Sequence, residues 1–407
     1  MKHVIAAAAT MVFACSASAQ SSVLLYGVVD LGINYTNNAQ TARLGATPTG
    51  HSQVFMGDGT ITGLSGSRWG LRGSEALGNG LTAVFVLENG FFANNGALAQ
   101  GGAGFGRQVY VGLQGAFGNI TLGRQYDPML DYLQPLTVTG QWAGSMGAHA
   151  DDVDNLSNTN RVNNAIKFRS VAYSGFSWEG LYSFGGVAGQ PTQNQIWSLG
   201  AGYSGSWLTV GLGYLNARNP NVSFYGNTPN KGSSAANNIG SFGLATAGES
   251  IPAYAGFASA ETLSIAGAAF RITVGDAQVG AVATRTQFDS LGSQSGPNPL
   301  RYSGDVAFNS FEINGSYRIT PALQVGAGVN YTRRGSVNGD DGARYQQAEL
   351  GTVYSLSTRT DLYAMCVYQH ASGRDSLGQA AVATINGFSP SARDKQIAMR
   401  VAVRHKF

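Results

Sequence analysis

The chain ends in QIAMRVAVRHKF, Gln396 to Phe407, where Ile397, Met399, Val401 and Val403 alternate with a set that includes Arg400, Arg404 and Lys406. Alternation at a period of two marks a β-strand with unlike faces. In a soluble sheet the apolar face of such a strand meets a dry core and the charged face meets water. In a sheet that crosses a membrane the apolar face meets lipid and the charged face lines a wet interior. Which case applies depends on how many such strands there are and how they are joined.

The same unit recurs throughout the chain: a strand-like segment, a connection, another strand. The first, SSVLLYGVVDLGINY, sets Val23, Leu25, Val29, Leu31 and Ile33 against Tyr26, Asp30 and Asn34. Sixteen such segments can be counted, among them GSRWGLRG, LTAVFVLENGF, RQVYVGLQG, GNITLGRQY, NAIKFRSV, LQVGAGVNYTRR, YQQAELGTVYSLS and TDLYAMCVYQH. Seven connections are short, such as LGNG, GAFG and STRT. Eight are long, over residues 36–64, 92–105, 127–163, 185–194, 218–258, 290–306, 335–344 and 371–393. An even strand number with tight turns on one side and long loops on the other is the plan of an outer-membrane barrel, with both termini on the short-turn, periplasmic side. A membrane offers no partner to exposed backbone N–H and C=O groups, so the sheet must close and the last strand must pair with the first. In a soluble sandwich Arg400 and Arg404 would be desolvated at high cost; inside a wide barrel, water removes that cost. The expected fold is all-β, a 16-stranded antiparallel transmembrane barrel with short periplasmic turns and long extracellular loops.

Composition agrees. Charged residues make up 12% of the chain, about half the usual roughly 25%, and its 57 glycines are about twice the usual share. With 10% aromatics and a mean hydropathy of −0.06, these values suit strands that alternate between lipid and water and do not suit a helical membrane protein. The N-terminal MKHVIAAAATMVFACSASAQ reads as a secretory signal peptide over residues 1–19, with Lys2, an apolar stretch and cleavage after Ala19. That stretch is too short for a membrane anchor, and bulky Phe13 argues against a lipoprotein signal at Cys15. Residues 20–407 are then one barrel domain, with Cys366 read as a small apolar residue of a strand.

Alternation also assigns faces. Arg68 and Arg72 oppose Trp69 and Leu71, Lys167 and Arg169 oppose Ile166 and Phe168, and Glu88 opposes Leu87. Strict alternation from Ile120 and Leu122 turns Arg124 outward, so an inward Arg124 requires a bulge or a strand end. Tyr35, Phe91, Tyr126, Tyr331 and Phe407 stand near strand ends, where either an interfacial girdle or ordinary strand packing would place them.

Taken together, SSVLLYGVVDLGI after the signal peptide, SRWGLRGSEALGNGL, RQVYVGL with GAFGNITLGRQYDP, RVNNAIKF, TDLYA and the final RHKF resemble the trimeric general porins of Gram-negative outer membranes, of the neisserial and β-proteobacterial type. The resemblance runs in order along essentially the whole mature chain. It implies a homotrimer in outer-membrane lipid, a third long loop folded into the barrel as a constriction, and passive passage of small hydrophilic solutes and ions. It also implies a C-terminal strand read by the outer-membrane assembly machinery, here through Val401, Val403, His405 and Phe407. Leu24 departs from the polar residue usual in the family, and the 218–258 loop is long and rich in Ser, Asn, Gly and Ala.

The third long connection, residues 127–163, exceeds the roughly 12 to 15 residues beyond which loops are uncommon unless functional or disordered. It holds Asp127, Asp131, Asp151, Asp152 and Asp154 against one basic residue, Arg161. On the porin plan this acidic loop faces basic residues across the constriction, with Arg68, Arg72, Arg124, Arg161 and Lys167 as candidates. Opposed charges there set a transverse field that selects ions. The alternatives are a solvated loop or a calcium site on Asp151, Asp152 and Asp154. The basic candidates favour anions and the acidic loop favours cations, so the sign stays open.

Other functions find less support. A barrel enzyme needs a nucleophile, a base and an orienting group, and beyond the signal peptide the histidines are His51, His149, His370 and His405, with no local catalytic signature among the serines. GGAGFGR lacks the Lys-Ser/Thr of a phosphate loop. Neither a concentrated basic stripe for nucleic acid nor a clustered His/Cys metal pattern is present, and no cofactor is expected. The nearer rivals are a substrate-specific channel or an adhesin-like barrel, both on the same scaffold.

Overall fold

The computed structural model describes residues 22–42, 48–226, 235–239, 251–294 and 296–407. The expected signal peptide and part of the 218–258 loop lie outside these residues. The described chain forms one antiparallel sheet. Its first half comprises β1 (Ser22–Ala42), β2 (Thr49–Asp58), β3 (Arg68–Gly78), β4 (Leu81–Gly90), β5 (Gln108–Gly115), β6 (Gly118–Gln125), β7 (Val162–Arg169), β8 (Phe176–Ser183) and β9 (Ile196–Ser204). The second half comprises β10 (Leu208–Arg218), β11 (Thr262–Val274), β12 (Ala277–Leu291), β13 (Gly304–Arg318), β14 (Leu323–Arg334), β15 (Ala343–Ser355), β16 (Thr360–Gly373) and β17 (Lys395–Lys406). From β3 onward each strand pairs with the next, and β17 returns to β1 from Val28↔Lys406 to Thr36↔Ala398, so the sheet closes.

Seventeen strands make sixteen staves because the second stave is interrupted. β3 pairs with the first part of β1, Ser22 to Val28, and β2 pairs with its last part, Leu31 to Ala42. Residues 59–67 leave the wall between them, starting with a short helix, α1 (Gly59–Thr62), capped by Asp58, which accepts a 2.7 Å bond from Thr60 N–H. The long connection expected over residues 36–64 is therefore corrected, since most of it is strand. Only Val54 and Met56 give HSQVFMGD an apolar face, and two positions are too few for alternation to register; both are strongly exposed on the outside of the barrel.

Large apolar side chains populate the outer surface, including Val23, Leu25, Ile33, Leu122, Leu199, Leu212, Phe311, Ile313 and Leu350. On β17 the alternation falls as expected, with Met399, Val401, Val403 and Phe407 exposed and Ala398, Arg400 and Ala402 buried. Backbone bonds of 3.0 Å in both directions pair Phe407 with Gly27. A Cβ at Gly27 would lie 2.2 Å from the Phe407 ring, so only glycine admits that ring there.

Two expectations about the inner face change. Arg400 and Asp30 point inward but do not line water: both are fully buried and paired at 2.9 Å. Arg400 also donates to Tyr363 Oη (2.8 Å), Asn34 Oδ1 (3.0 Å), Gly57 C=O (3.0 Å) and Thr62 Oγ1 (2.9 Å), and Asp30 accepts from Ser65 N–H (3.1 Å). The pair thus clamps the 59–67 insertion against the closing seam. The inner wall is also not uniformly polar. Phe288 and Phe308 point inward beneath Tyr254 and Phe257 of the long loop before β11, with ring centroids 5.6 Å apart for Phe257 and Phe288 and 6.5 Å apart for Tyr254 and Phe308. Loops that cover the wall there make it a small apolar core. Removing one partner of a buried ion pair strands the other, at a cost of about 3–5 kcal/mol. Arg400→Ala is therefore expected to lower the urea unfolding midpoint of the folded barrel markedly, and an unchanged midpoint would show that the clamp is not structural.

Candidate functional site

The third long connection folds into the barrel and binds to its wall. Asp127 caps its opening helix, α2 (Pro128–Leu133), by accepting from Leu130 N–H at 3.0 Å. Farther along, the Trp142 indole lies against Gly326 and Gly351, where a Cβ would come within 2.3 and 2.6 Å of the ring. Two more bonds tie the loop to the wall, Val138 N–H to Glu312 (2.9 Å) and Gln347 to the Ala148 carbonyl (3.1 Å). Ser145 N–H donates to Gly63 C=O of the 59–67 insertion (3.0 Å), and Asn386 of the last long loop donates to Ser145 C=O (3.0 Å). Three inward segments thus meet and narrow the lumen.

Most of the acidic residues in this loop serve the loop itself. Asp131 forms a close ion pair with Lys167, which also reaches Glu179 at 2.9 Å. Asp152 accepts from Ser157 N–H (2.7 Å), Thr159 N–H (3.1 Å) and Thr159 Oγ1–H (2.7 Å), closing a tight turn. Asp154 contacts His149 Nδ1 at 2.6 Å and accepts from Thr284 Oγ1–H at 2.6 Å. His149 Nε2 lies 3.5 Å from Glu312, so the ring bridges the loop and the wall between two carboxylates. Asp151, held at φ 52°, accepts from Thr384 Oγ1–H (2.5 Å) and Ala253 N–H (3.3 Å). Among the described residues no three acidic, His or Cys side chains converge on a metal position.

Burial sets the ionisation of these loop groups. It pushes Asp127 up to about 6, and with the neighbouring Asp154 it pushes Asp152 up to about 7 against the three bonds donated to it. Burial also opposes charge on Asp154 and His149, but their mutual attraction outweighs it, leaving the carboxyl below its usual value and the imidazole well above.

What remains facing the gap is basic. A cavity of about 710 Å³ is bordered by Arg68, Arg107 and Arg161, by Glu88, Tyr126 and Asp151, and by residues 386–389 of the last loop. The charged groups form a ladder. Arg68 lies 3.8 Å from Glu88, Arg107 donates to Glu88 at 2.9 Å and to Tyr126 Oη at 2.9 Å, and the Arg161 guanidinium sits 5.7 Å above the Tyr126 ring. Burial and the nearby Arg107 push Arg161 down to about 10.

Of the residues singled out from sequence, Arg68, Arg161 and Asp151 border this cavity. Arg72 lies outside it, with its guanidinium 5.6 Å from the Tyr26 ring and Leu24 opposite in register. Lys167 and Asp127, Asp131, Asp152 and Asp154 are engaged elsewhere. Arg124 ties Gly106 C=O (2.9 Å) to Asn163 Oδ1 (2.5 Å) beside a register shift between Gly123 and Gln125. Tyr126, expected in a girdle, stands in the ladder. Arg107 and Glu88 complete it; Glu88 was legible by alternation, but Arg107, the first residue of the segment RQVYVGLQG in sequence, precedes β5 in the structure, where period two does not hold.

A closed sheet with an apolar outer belt around a passage narrowed by inward loops defines a transmembrane β-barrel channel. The chain belongs to the Gram-negative porin family, whose model matches residues 6–374. It is 27% identical to outer membrane porin protein 32 of Delftia acidovorans over 100% of both chains. It is 37% identical to an outer membrane porin protein of Bordetella pertussis over 53% of this chain, a match that spans 56% of that relative. The structure of an anion-selective porin from Comamonas acidovorans superposes with a TM-score of 0.67 at 23% identity, covering 95% of this chain and 100% of that one. The chain is thus an integral outer-membrane barrel.

The ionisation of Asp152 gives a signed expectation. Its carboxyl in the folded protein titrates near 7 instead of 3.8, so its ionisation costs stability. The contribution is fully present below about pH 4 and is lost as pH rises through about 7. Thermal unfolding midpoints at pH 5 and pH 8 should therefore differ less in Asp152→Asn than in the unaltered protein. Trp142→Ala, which empties the site on Gly326 and Gly351, is expected to loosen the loop by about 3–5 kcal/mol and to give larger, noisier single-channel steps in a planar bilayer.

Proposed function

We propose that this porin is a general diffusion channel for small hydrophilic solutes with a preference for anions, set by Arg68, Arg107 and Arg161. The observation that carries the reading is that three guanidiniums border the narrow cavity against two carboxylates. Glu88 is shared between Arg107 and Arg68, and Asp151 accepts bonds from two other segments. The field in the gap is therefore positive, and a passing anion meets donors without displacing an acid. The acidic loop expected to oppose this wall spends its charge on its own turns and on Lys167. A Comamonas porin of the same fold is described as anion-selective, which accords with the reading.

The barrel works as a homotrimer, with both termini and the short turns on the periplasmic side, the long loops outside the cell, and the signal peptide removed. Passive diffusion is favoured over catalysis because His149, the histidine placed for chemistry within the loop, is held between two carboxylates and not against a hydroxyl. In a salt gradient across a planar bilayer the reversal potential should take the sign of anion preference. At about 4 Å in water one charge is worth about 1 kcal/mol, so Arg107→Ala is expected to lower the anion-to-cation permeability ratio about fivefold, with smaller losses for Arg68→Ala. A cation-preferring reversal potential in the unaltered protein would overturn the assignment.

A further inference from the structure

Toward the end of the barrel that carries the short turns, a second polar cavity of about 420 Å³ lies between the infolded loop and the wall. Pro135, Gly140 and Gln141 of the loop border one side, and Arg271, Gln278, Ser316 and Arg318 of β11 to β13 border the other. Register explains the convergence. Arg271 stands opposite Gly280 and Gly280 opposite Asn314, while Thr273, Gln278 and Ser316 form the next row of inward positions. Arg318 follows one inward position beyond Ser316 and stands opposite Gln324. Ile272, Val274, Val279 and Tyr317, which alternate with these residues, are exposed on the outer belt, so the polar set faces the lumen.

Few of these side chains are matched by acceptors. Arg271 Nη1 donates to Pro135 C=O at 3.2 Å, but its Nε is buried with no acceptor, and an unpartnered buried donor is costly. Among the described residues the Arg318 guanidinium and the side chains of Gln278, Ser316 and Gln324 make no hydrogen bond or ion pair. Asp276, on the turn between β11 and β12, also borders the cavity but pairs with neither arginine. Gln141 Nε2 donates to Leu136 C=O (2.9 Å) and Asn314 Oδ1 (3.0 Å), which fixes that amide and holds the loop beside the cavity. The contrast with the ladder is chemical: Glu88 already bonds Arg107 there, whereas here two guanidiniums share a space with amide and hydroxyl donors and no carboxylate bonds them. Such a set is short of acceptor oxygens.

We propose that this cavity is a binding station for a small divalent oxyanion of the phosphate type, held by Arg271 and Arg318 with Gln278, Ser316 and Gln324 as neutral donors. Guanidinium groups take the oxygens of such an ion bidentately in charge-assisted bonds, and an ion between the two arginines turns their mutual repulsion into attraction to a shared partner. The station lies apart from the arginine ladder, on the far side of the Pro135–Gln141 stretch of the loop, so an anion that has passed the gap meets a second site before it leaves the barrel. Two sites in series sustain flux where one tight site would trap the ion. That this end opens to the periplasm rests on the proposed orientation of the short turns.

The test titrates inorganic phosphate into the folded, signal-free barrel in detergent, follows the phosphorus NMR line width, and holds ionic strength constant with sodium chloride. The unaltered protein should broaden the line saturably. The double variant Arg271→Gln, Arg318→Gln should bind phosphate about tenfold more weakly, a difference of about 1.4 kcal/mol, and Arg107→Ala should bind as the unaltered protein does. Absence of saturable broadening with the unaltered protein, which needs no variant, overturns the proposal. So does unchanged affinity in the double variant, or loss of binding in Arg107→Ala, which would place the ion on the ladder. The urea unfolding midpoint checks the fold of the double variant; if that variant does not fold, Arg318→Gln alone, at an exposed position, decides, and unchanged affinity there overturns the proposal. Failure of the channel reading would appear separately, as absence of conductance in a planar bilayer, and failure of the anion preference as the opposite sign of the reversal potential.

Discussion

Nine residue pairs join the first strand to the last, and the rest of the molecule presupposes that seam. Hydrocarbon has nothing to offer an unpaired N–H or C=O, so a spanning sheet with an open edge would leave a row of unsatisfied groups. Closure removes the edge but depends on register, because a slip of one residue turns every side chain of a strand to the wrong face. Arg400 helps to hold that register. It stands opposite Asn34 and bonds to it, pairs with Asp30 four residues back along β1, and holds the inserted segment that interrupts the second stave. The charge that first marks β17 as having a wet face is thus used to pin the seam.

The constriction depends on the wall in turn. A loop of this length hung from two adjacent strands would sample many positions unless it were bonded across the lumen. Here small residues on the inner face give it close contact: Tyr132 of α2 lies against Gly200 and Gly202, and Trp142 against Gly326 and Gly351. Polar groups then complete the attachment, with His149 bridging Asp154 of the loop to Glu312 of β13. The high glycine content thus has a physical reading beyond turns, since inward positions without a side chain are where the loop rests.

With most of the loop's acids bonded to the loop and the wall, the groups left at the gap are Arg68 and Arg107 of the wall side and Arg161 of the loop, beside Glu88 and Asp151. Glu88 and Tyr126 hold the three guanidiniums in place without neutralising all of them, and on the proposed reading fixed charges of this kind bias ion entry while leaving the passage open.

Period two, loop lengths and the closing strand were readable from residues in sequence, because strand alternation is a local property and membrane closure follows from it. The inward faces of Arg68, Glu88 and Lys167 and the outward set of Met399, Val401 and Val403 came from that pattern, while the end of the first strand did not, since β1 runs on to Ala42. The insertion at 59–67 escaped it, since two apolar residues in β2 are too few to show a period. Only the tertiary structure decided which charges meet the gap. Asp152 is consumed by Thr159 seven residues on, while Asp151 meets Thr384 at a separation of 233 residues and Arg400 meets Asp30 at a separation of 370. A charge in a sequence has a sign but no partner, and its partners here arrive through closure of the barrel and the infolding of loops far apart along the chain.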